Sequence, residues 1–301
     1  MQVGDNMYNR SMKLPKRFTL AYFSGTGCTK AVCDCFEKQL QMLGRDCDKI
    51  DISYTNSHEV READLLIIFS PVYAFSLVSL VEGWISNLPK TNHTLAAIIS
   101  VSGGGEISPN TACRVRSKRG LNNKGYDVIY EEMIVMPSNF AIQADQQLNY
   151  KLISILPKKV NHIITDILSE KKRLTIPKLQ DRFLTSIGRA EHIAAKFFGA
   201  SIHASSNCNK CGLCIRGCPK KNIKIVKDKP RFGFDCLWCL KCIYACPCKA
   251  LSPRIMKISV LKKGFNLENM KLKASQYINE LGSTSNKSIL WKGVIEYLHN
   301  E

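Results

Sequence analysis

No apolar run in this chain is long enough to cross a membrane as a helix; the longest, such as Leu65 to Phe69, have the length of a strand. Met1 to Phe18 is polar and basic with no apolar core, so no secretory signal is read there and a reducing cytoplasm is the expected location. Acid is scarce in one half only. Residues 1–150 hold 15 Lys plus Arg against 15 Asp plus Glu, so the formal net charge of +18 arises wholly beyond residue 150. The six histidines, His58, His93, His162, His192, His203 and His299, form no pair at ligand spacing and offer no catalytic constellation. No aromatic ladder interleaves with the basic residues as a single-strand groove requires, so nucleic acid is not an expected partner. A Walker loop and a G-x-G-x-x-G turn are both missing, which leaves direct nicotinamide oxidation without a site.

What is abundant is cysteine, 14 in 301 residues. Eight of them write one pattern twice, C-x2-C-x2-C-x3-C-P: Cys208, Cys211, Cys214, Cys218 before Pro219, and Cys236, Cys239, Cys242, Cys246 before Pro247. Zinc uses two pairs of ligands, not two triplets each with a distal Cys-Pro. Disulfides need an oxidising compartment. Three thiolates two residues apart can wrap one face of an iron–sulfur cube, while the fourth, displaced on a short helix, points to a neighbouring cube. The pattern resembles that of the bacterial two-cluster ferredoxins. Carried over position by position, the resemblance implies one 4Fe-4S cluster on Cys208, Cys211, Cys214 and Cys246 and another on Cys236, Cys239, Cys242 and Cys218. Between the copies, Asn222 to Phe232 reads as the small hairpin that ferredoxins also carry there.

Residues 205–263 contain 14 basic residues and two acidic ones, Asp228 and Asp235. Thiolate-bound clusters carry negative charge that offsets part of this excess. The rest makes an acidic redox protein of ferredoxin or flavodoxin type the expected partner, with Lys220, Lys221, Lys224, Lys227 and Lys229 as its docking contacts.

The first half reads differently. An apolar strand, Arg17 to Phe23, ends in Ser24-Gly25-Thr26-Gly27-Cys28-Thr29, after which Val32, Phe36, Leu40 and Leu43 recur at helical spacing. A loop between strand and helix aims N–H groups and hydroxyls at an anion. The pattern S-x-T-G-x-T resembles the loop with which flavodoxins hold the phosphate of FMN. Further strands are expected at Asp46 to Ser53, Asp64 to Phe69, Leu95 to Val101 and Tyr126 to Met136, with a helix capped by Ser76 and helix-like residues from Asn110 to Leu121. Five strands alternating with helices predict a doubly wound parallel α/β sheet with ligand loops at the strand carboxyl ends. The flavodoxin resemblance implies that Pro71, Val72, Tyr73, Ala74 and Phe75, and Ser102, Gly103, Gly104 and Gly105, flank the flavin ring. At Cys28 flavodoxins commonly carry Asn, and a thiol at a helix N-terminus invites ionisation.

The expected organisation is a leader over residues 1–16, a flavodoxin-like FMN domain over 17–136, a helical linking segment over 137–204 and a small α+β ferredoxin-like domain over 205–253. A C-terminal extension, 254–301, follows, with a strand at Ile255 to Leu261 and a helix at Leu290 to Leu298. One helix is read through Phe183, Ile187, Ala190, Ile193 and Phe197. The combination implies electron transfer between FMN and two clusters and on to a partner; the alternatives are an FMN-dependent reductase of a small molecule and a regulatory or structural iron–sulfur protein.

Overall fold

The computed structural model describes residues 14–187, 190–276 and 291–299. Residues 1–13 of the expected leader and Leu290 of the expected terminal helix lie outside the described residues.

The first part of the chain alternates strand and helix: β1 (Arg17–Tyr22), α1 (Cys28–Met42), β2 (Asp46–Asp51), β3 (Leu65–Tyr73), β4 (Ser76–Leu77), α2 (Ser79–Ser86), β5 (Thr94–Ser102), α3 (Val115–Asn123) and β6 (Tyr126–Val135). The sheet order is β2-β1-β3-β5-β6, all parallel, with β4 turning back antiparallel on the end of β3. This is the flavodoxin-like strand order, whose switch point falls between β1 and β3. Leu65 to Phe69 of the central strand β3 is apolar at every position because both faces are covered. Leu65, Ile67 and Phe69 face α1 on one side, and Leu66 and Ile68 face α2 and α3 on the other. Truncating Ile67 or Ile68, both fully buried, to Ala costs about 2–5 kcal/mol.

Ser76 does not cap a helix. Tyr73 pairs with Ser76 and Val72 with Leu77, and the two residues between, Ala74 and Phe75, have φ of 36° and 66°. Positive φ at both central positions makes a tight two-residue hairpin turn, normally signalled by Asn-Gly and so unreadable in Ala-Phe. The helix starts three residues later, at Ser79.

Beyond β6 come α4 (Gln146–Ser154), α5 (Leu156–Leu168), α6 (Leu179–Ile187) and α7 (Ala190–Ser201); Phe183 and Ile187 lie in α6 and Ala190, Ile193 and Phe197 in α7, while residues 188–189 between them lie outside the described residues. The Asp145 carboxylate accepts from the Leu148 N–H at 2.8 Å and caps α4. Val160, Ile163, Ile164 and Ile167 of α5 join α1 on the same face of the sheet.

The cysteine-rich part follows: β7 (Ile202–Ala204), α8 (Leu213–Arg216), the hairpin β8 (Ile223–Val226) and β9 (Lys229–Phe232), α9 (Lys241–Tyr244) and β10 (Leu251–Pro253), which pairs antiparallel with β7. Its core is Phe198 of α7 stacked on Trp238 at 4.9 Å, with Ile202, Leu240, Ile243 and Leu251 around them. The strand expected at Ile255 to Leu261 is a 3-10 turn, Lys257–Ser259. Met256 enters it at φ 52°, and the Ser259 hydroxyl donates back to the Met256 carbonyl at 2.8 Å. Two helices end the described chain, α10 (Leu267–Gln276) and α11 (Lys292–His299), which pack on α4 and on the loop after β5. Among the described residues no helix is long and apolar enough to cross a membrane.

Candidate cofactor sites

A cleft of about 440 Å³ opens at the carboxyl ends of β1, β3, β5 and β6. Ser24, Gly25, Thr26, Cys28 and Thr29 line it from the first loop, Pro71, Val72, Tyr73, Ala74 and Phe75 from the β3–β4 turn, and Ser102 and Gly103 from the end of β5. Three of the expected residues stand apart from it. Gly27 forms the N-cap of α1 with φ 103°, a left-handed conformation that favours glycine. The backbone at Gly104 and Gly105 meets the C-terminal helix: a Cβ at Gly105 would lie 2.5 Å from the Gly293 carbonyl and one at Gly293 2.5 Å from the Gly104 carbonyl, so Gly105 and Gly293 allow the two backbones to meet. Five further residues of the wall, Met136 to Phe140, come from the segment after β6, and one, Trp238, from the cysteine-rich part.

The first loop is held from within and from outside. The Ser24 hydroxyl accepts from the Gly27 N–H at 3.1 Å, so it shapes the turn. Asn139 donates its amide to the Thr26 hydroxyl, and the Asn139 carbonyl accepts from the Tyr244 hydroxyl at 2.8 Å. Among the described residues no Lys or Arg lines the cleft, so the groups there that could hold an anion are N–H groups, hydroxyls and the start of α1, as at other strand-to-helix turns. Cys28 is not an activated thiol. Burial pushes it up to about 12, outweighing the favourable Lys271 charge, and its S–H donates to the Pro137 carbonyl at 3.7 Å.

The eight repeated cysteines fall into two groups that cross the repeat. Cys218 lines one small cavity together with Cys236, Cys239 and Cys242. Cys246 lines another together with Cys208, Cys211 and Cys214. Backbone N–H groups already point at sulfur: Asn222 to Cys218, Trp238 to Cys236 and Ala250 to Cys246, each at 3.3 Å. Burial pushes the Cys236 thiol up to about 12 and raises Cys239 and Cys242 as well. Buried thiols lining one cavity would suit a cationic iron–sulfur core, which would remove the penalty of ionising them. Among the described residues no three His, Cys, Asp or Glu side chains are grouped to hold a single metal ion.

No family model matches the chain, and no curated protein does. Solved structures similar to it include the two-electron reduced flavodoxin of Megasphaera elsdenii, 24% identical over 39% of this chain and 85% of that one, with a TM-score of 0.35. The flavodoxin of Streptococcus pneumonia TIGR4 is 16% identical over 50% and 99%, TM-score 0.37. A flavodoxin from the domain Archaea is 13% identical over 50% and 98%, TM-score 0.35. The parallel sheet and its strand order, not these likenesses, carry the flavodoxin-like fold of the first part.

Proposed function

We propose that the chain is an electron-transfer protein that holds FMN in the cleft and two 4Fe-4S clusters on the crossed cysteine groups, and that it exchanges electrons with an acidic redox protein. Residues 17–136 then form the FMN domain and 205–253 the cluster domain, with a helical linking segment over 137–204 and a C-terminal extension over 254–301. Flavin takes up or gives one or two electrons and each cluster one, so the pair can split or join electron pairs.

The observation that carries this reading is the contact between the two candidate sites. A Cβ on Gly25, in the first loop, would lie 2.7 Å from the Cys239 carbonyl oxygen and 3.1 Å from the Cys239 Cβ. A cysteine of one cluster group thus packs directly on the loop of the flavin cleft, as fast transfer between the two requires. FMN is favoured over a dinucleotide because the loop presents one anion site at one helix start. Purification under anaerobic conditions, with released-flavin, iron and sulfide analysis and an absorption spectrum, tests the reading. FMN together with iron and sulfide for two clusters supports it; zinc in place of iron, or no flavin after reconstitution, overturns it.

A further inference from the structure

Resting on that reading, we propose that Trp238 is a wall of the flavin site supplied by the cluster domain, and that the cluster on Cys218, Cys236, Cys239 and Cys242 therefore sets the affinity for flavin while the other cluster does not.

Trp238 sits between Cys236 and Cys239, two cysteines of one group. It is also the one residue of the cysteine-rich part that lines the flavin cleft among the described residues. Its backbone is in the left-handed region, φ 57°, unusual for a bulky residue. The surroundings hold it there. Its N–H donates to Cys236 Sγ at 3.3 Å, its indole Nε1 donates to the Ser259 hydroxyl at 3.2 Å, and its ring is stacked on Phe198. Phe140, another cleft residue, meets the same ring edge-on at 5.6 Å. An indole fixed on several sides offers a rigid apolar surface to a flat aromatic ligand.

Two more links join the same half of the repeat to the same cleft. Cys239 packs on Gly25, and the Tyr244 hydroxyl, at the end of the helix that carries Cys242, holds Asn139 and through it Thr26. The cavity of Cys208, Cys211, Cys214 and Cys246 is walled instead by its own loop, Ile225, Pro230 and Leu251, none of which lines the cleft. Releasing the Cys236–Cys242 loop therefore loosens three supports of the flavin site at once, whereas releasing the Cys208–Cys214 loop loosens none of them. Binding linkage is reciprocal, so flavin also protects that one cluster.

The test compares full-length Cys239→Ser, Cys211→Ser, Trp238→Ala and Trp238→Phe, prepared anaerobically, by titrating flavin-depleted protein with FMN and reading affinity and flavin emission. Cys239→Ser and Trp238→Ala are expected to weaken FMN binding about tenfold or more, from loss of an ordered aromatic contact. Cys211→Ser should stay within about twofold of the parent. Trp238→Phe should recover most of the affinity while changing the emission of bound flavin, which a merely structural role would not do. If Cys239→Ser fails to fold, the two Trp238 variants decide, because they keep every cysteine. Equal weakening in Cys239→Ser and Cys211→Ser, or unchanged affinity in Trp238→Ala, overturns the proposal. A parent protein that binds no FMN overturns the cofactor reading instead.

Discussion

In the first copy of the cysteine repeat Lys210 and Gly212 have φ of 58° and 74°; in the second, Trp238 and Leu240 at the same places have 57° and 59°. Three residues after each fourth cysteine, Lys221 and Lys249 have φ of 49° and 48°. The residues that follow, Asn222 and Ala250, each donate an N–H to a sulfur at 3.3 Å. The backbone is thus one solution used twice, and only the surroundings differ. Around the first copy Cys211 is exposed, Ile225 and Val226 of the hairpin are about half exposed, and Lys210 reaches only the exposed Asp228. Around the second, Cys239, Trp238 and Leu240 are buried against the flavin loops and α7. The difference gives the repeat a direction. One half faces solvent, and the other packs on the cleft at the end of the sheet.

Breaking the crossing of the repeat should give the largest effect. Cys218 belongs to the first copy by sequence but lines the cavity of the second triplet. In Cys218→Ala the cluster next to the flavin should be lost, while the cluster on Cys208, Cys211, Cys214 and Cys246 survives. Electron paramagnetic resonance of the reduced protein reads the two separately, and loss confined to the first-triplet cluster would sink the crossed assignment.

A negative charge in the first loop comes next. Among the described residues the cleft has no Lys or Arg in its wall, and the Lys271 charge felt at Cys28 is outweighed there by burial, so an added carboxylate beside a phosphate would be little neutralised. At a partly buried separation of several ångströms that repulsion is worth about 3 kcal/mol or more. Thr26→Asp and Thr29→Asp should then lose about a hundredfold in FMN affinity by fluorescence titration. Unchanged affinity in both would place the phosphate elsewhere.

What the sequence made legible follows from how local each signal is. The five parallel strands and the loop after the first of them rest on periodicity within a few residues, and the fold has them; the crossed cysteine sets came from the ferredoxin resemblance, and the same sets line two cavities. The misses depend on contacts between distant parts. Trp238 reads as a spacer between cysteines, because its place in the cleft wall exists only where the cysteine-rich part meets the sheet. Pro137 to Phe140 carry no glycine or hydroxyl pattern and read as the start of a link, although a fifth strand implies a fifth loop at the same edge. Gly105 reads as part of a ligand loop, and nothing nearby in sequence shows that it also makes room for Gly293 almost two hundred residues away. The exchange of Ser76 from helix cap to strand was hidden because Ala74 and Phe75 give no sign of positive φ.

The exposed half should respond to salt and the buried half should not. Lys224, Lys227 and Lys229 stand on the hairpin beside the first-triplet cavity, whose wall includes Ile225 and Pro230. Charges of this kind act over about 8 Å at physiological ionic strength. Reduction of the clusters by an acidic ferredoxin or flavodoxin should slow several-fold as salt rises, and about tenfold in Lys224→Glu/Lys227→Glu. Reduction by a small chemical reductant should change little in that variant. Stopped-flow rates that ignore both salt and charge reversal would remove the hairpin as a docking face.

The smallest effect tests the shared backbone itself. Left-handed φ costs a residue other than glycine roughly 1–2 kcal/mol, and glycine removes that cost but gives up roughly 0.5–1 kcal/mol of chain entropy on folding. At Lys210 the side chain adds little against this balance, since it pairs with Asp228 at 3.1 Å with both side chains mostly exposed. Lys210→Gly should therefore leave the protein as stable or up to about 1 kcal/mol more stable, a rise of about 2 °C at most in an anaerobic thermal melt. At Trp238 the same backbone relief is outweighed, because the indole fills the core with Phe198 and carries the bond to Ser259, and removing a buried aromatic costs about 3–5 kcal/mol. Trp238→Gly should lower the melting temperature by several degrees. Opposite signs at two positions with the same φ separate what the fold demands of the backbone from what the flavin side demands of the side chain; equal losses at both would show that Lys210 is also packed, and that the two halves are more alike than their surroundings suggest.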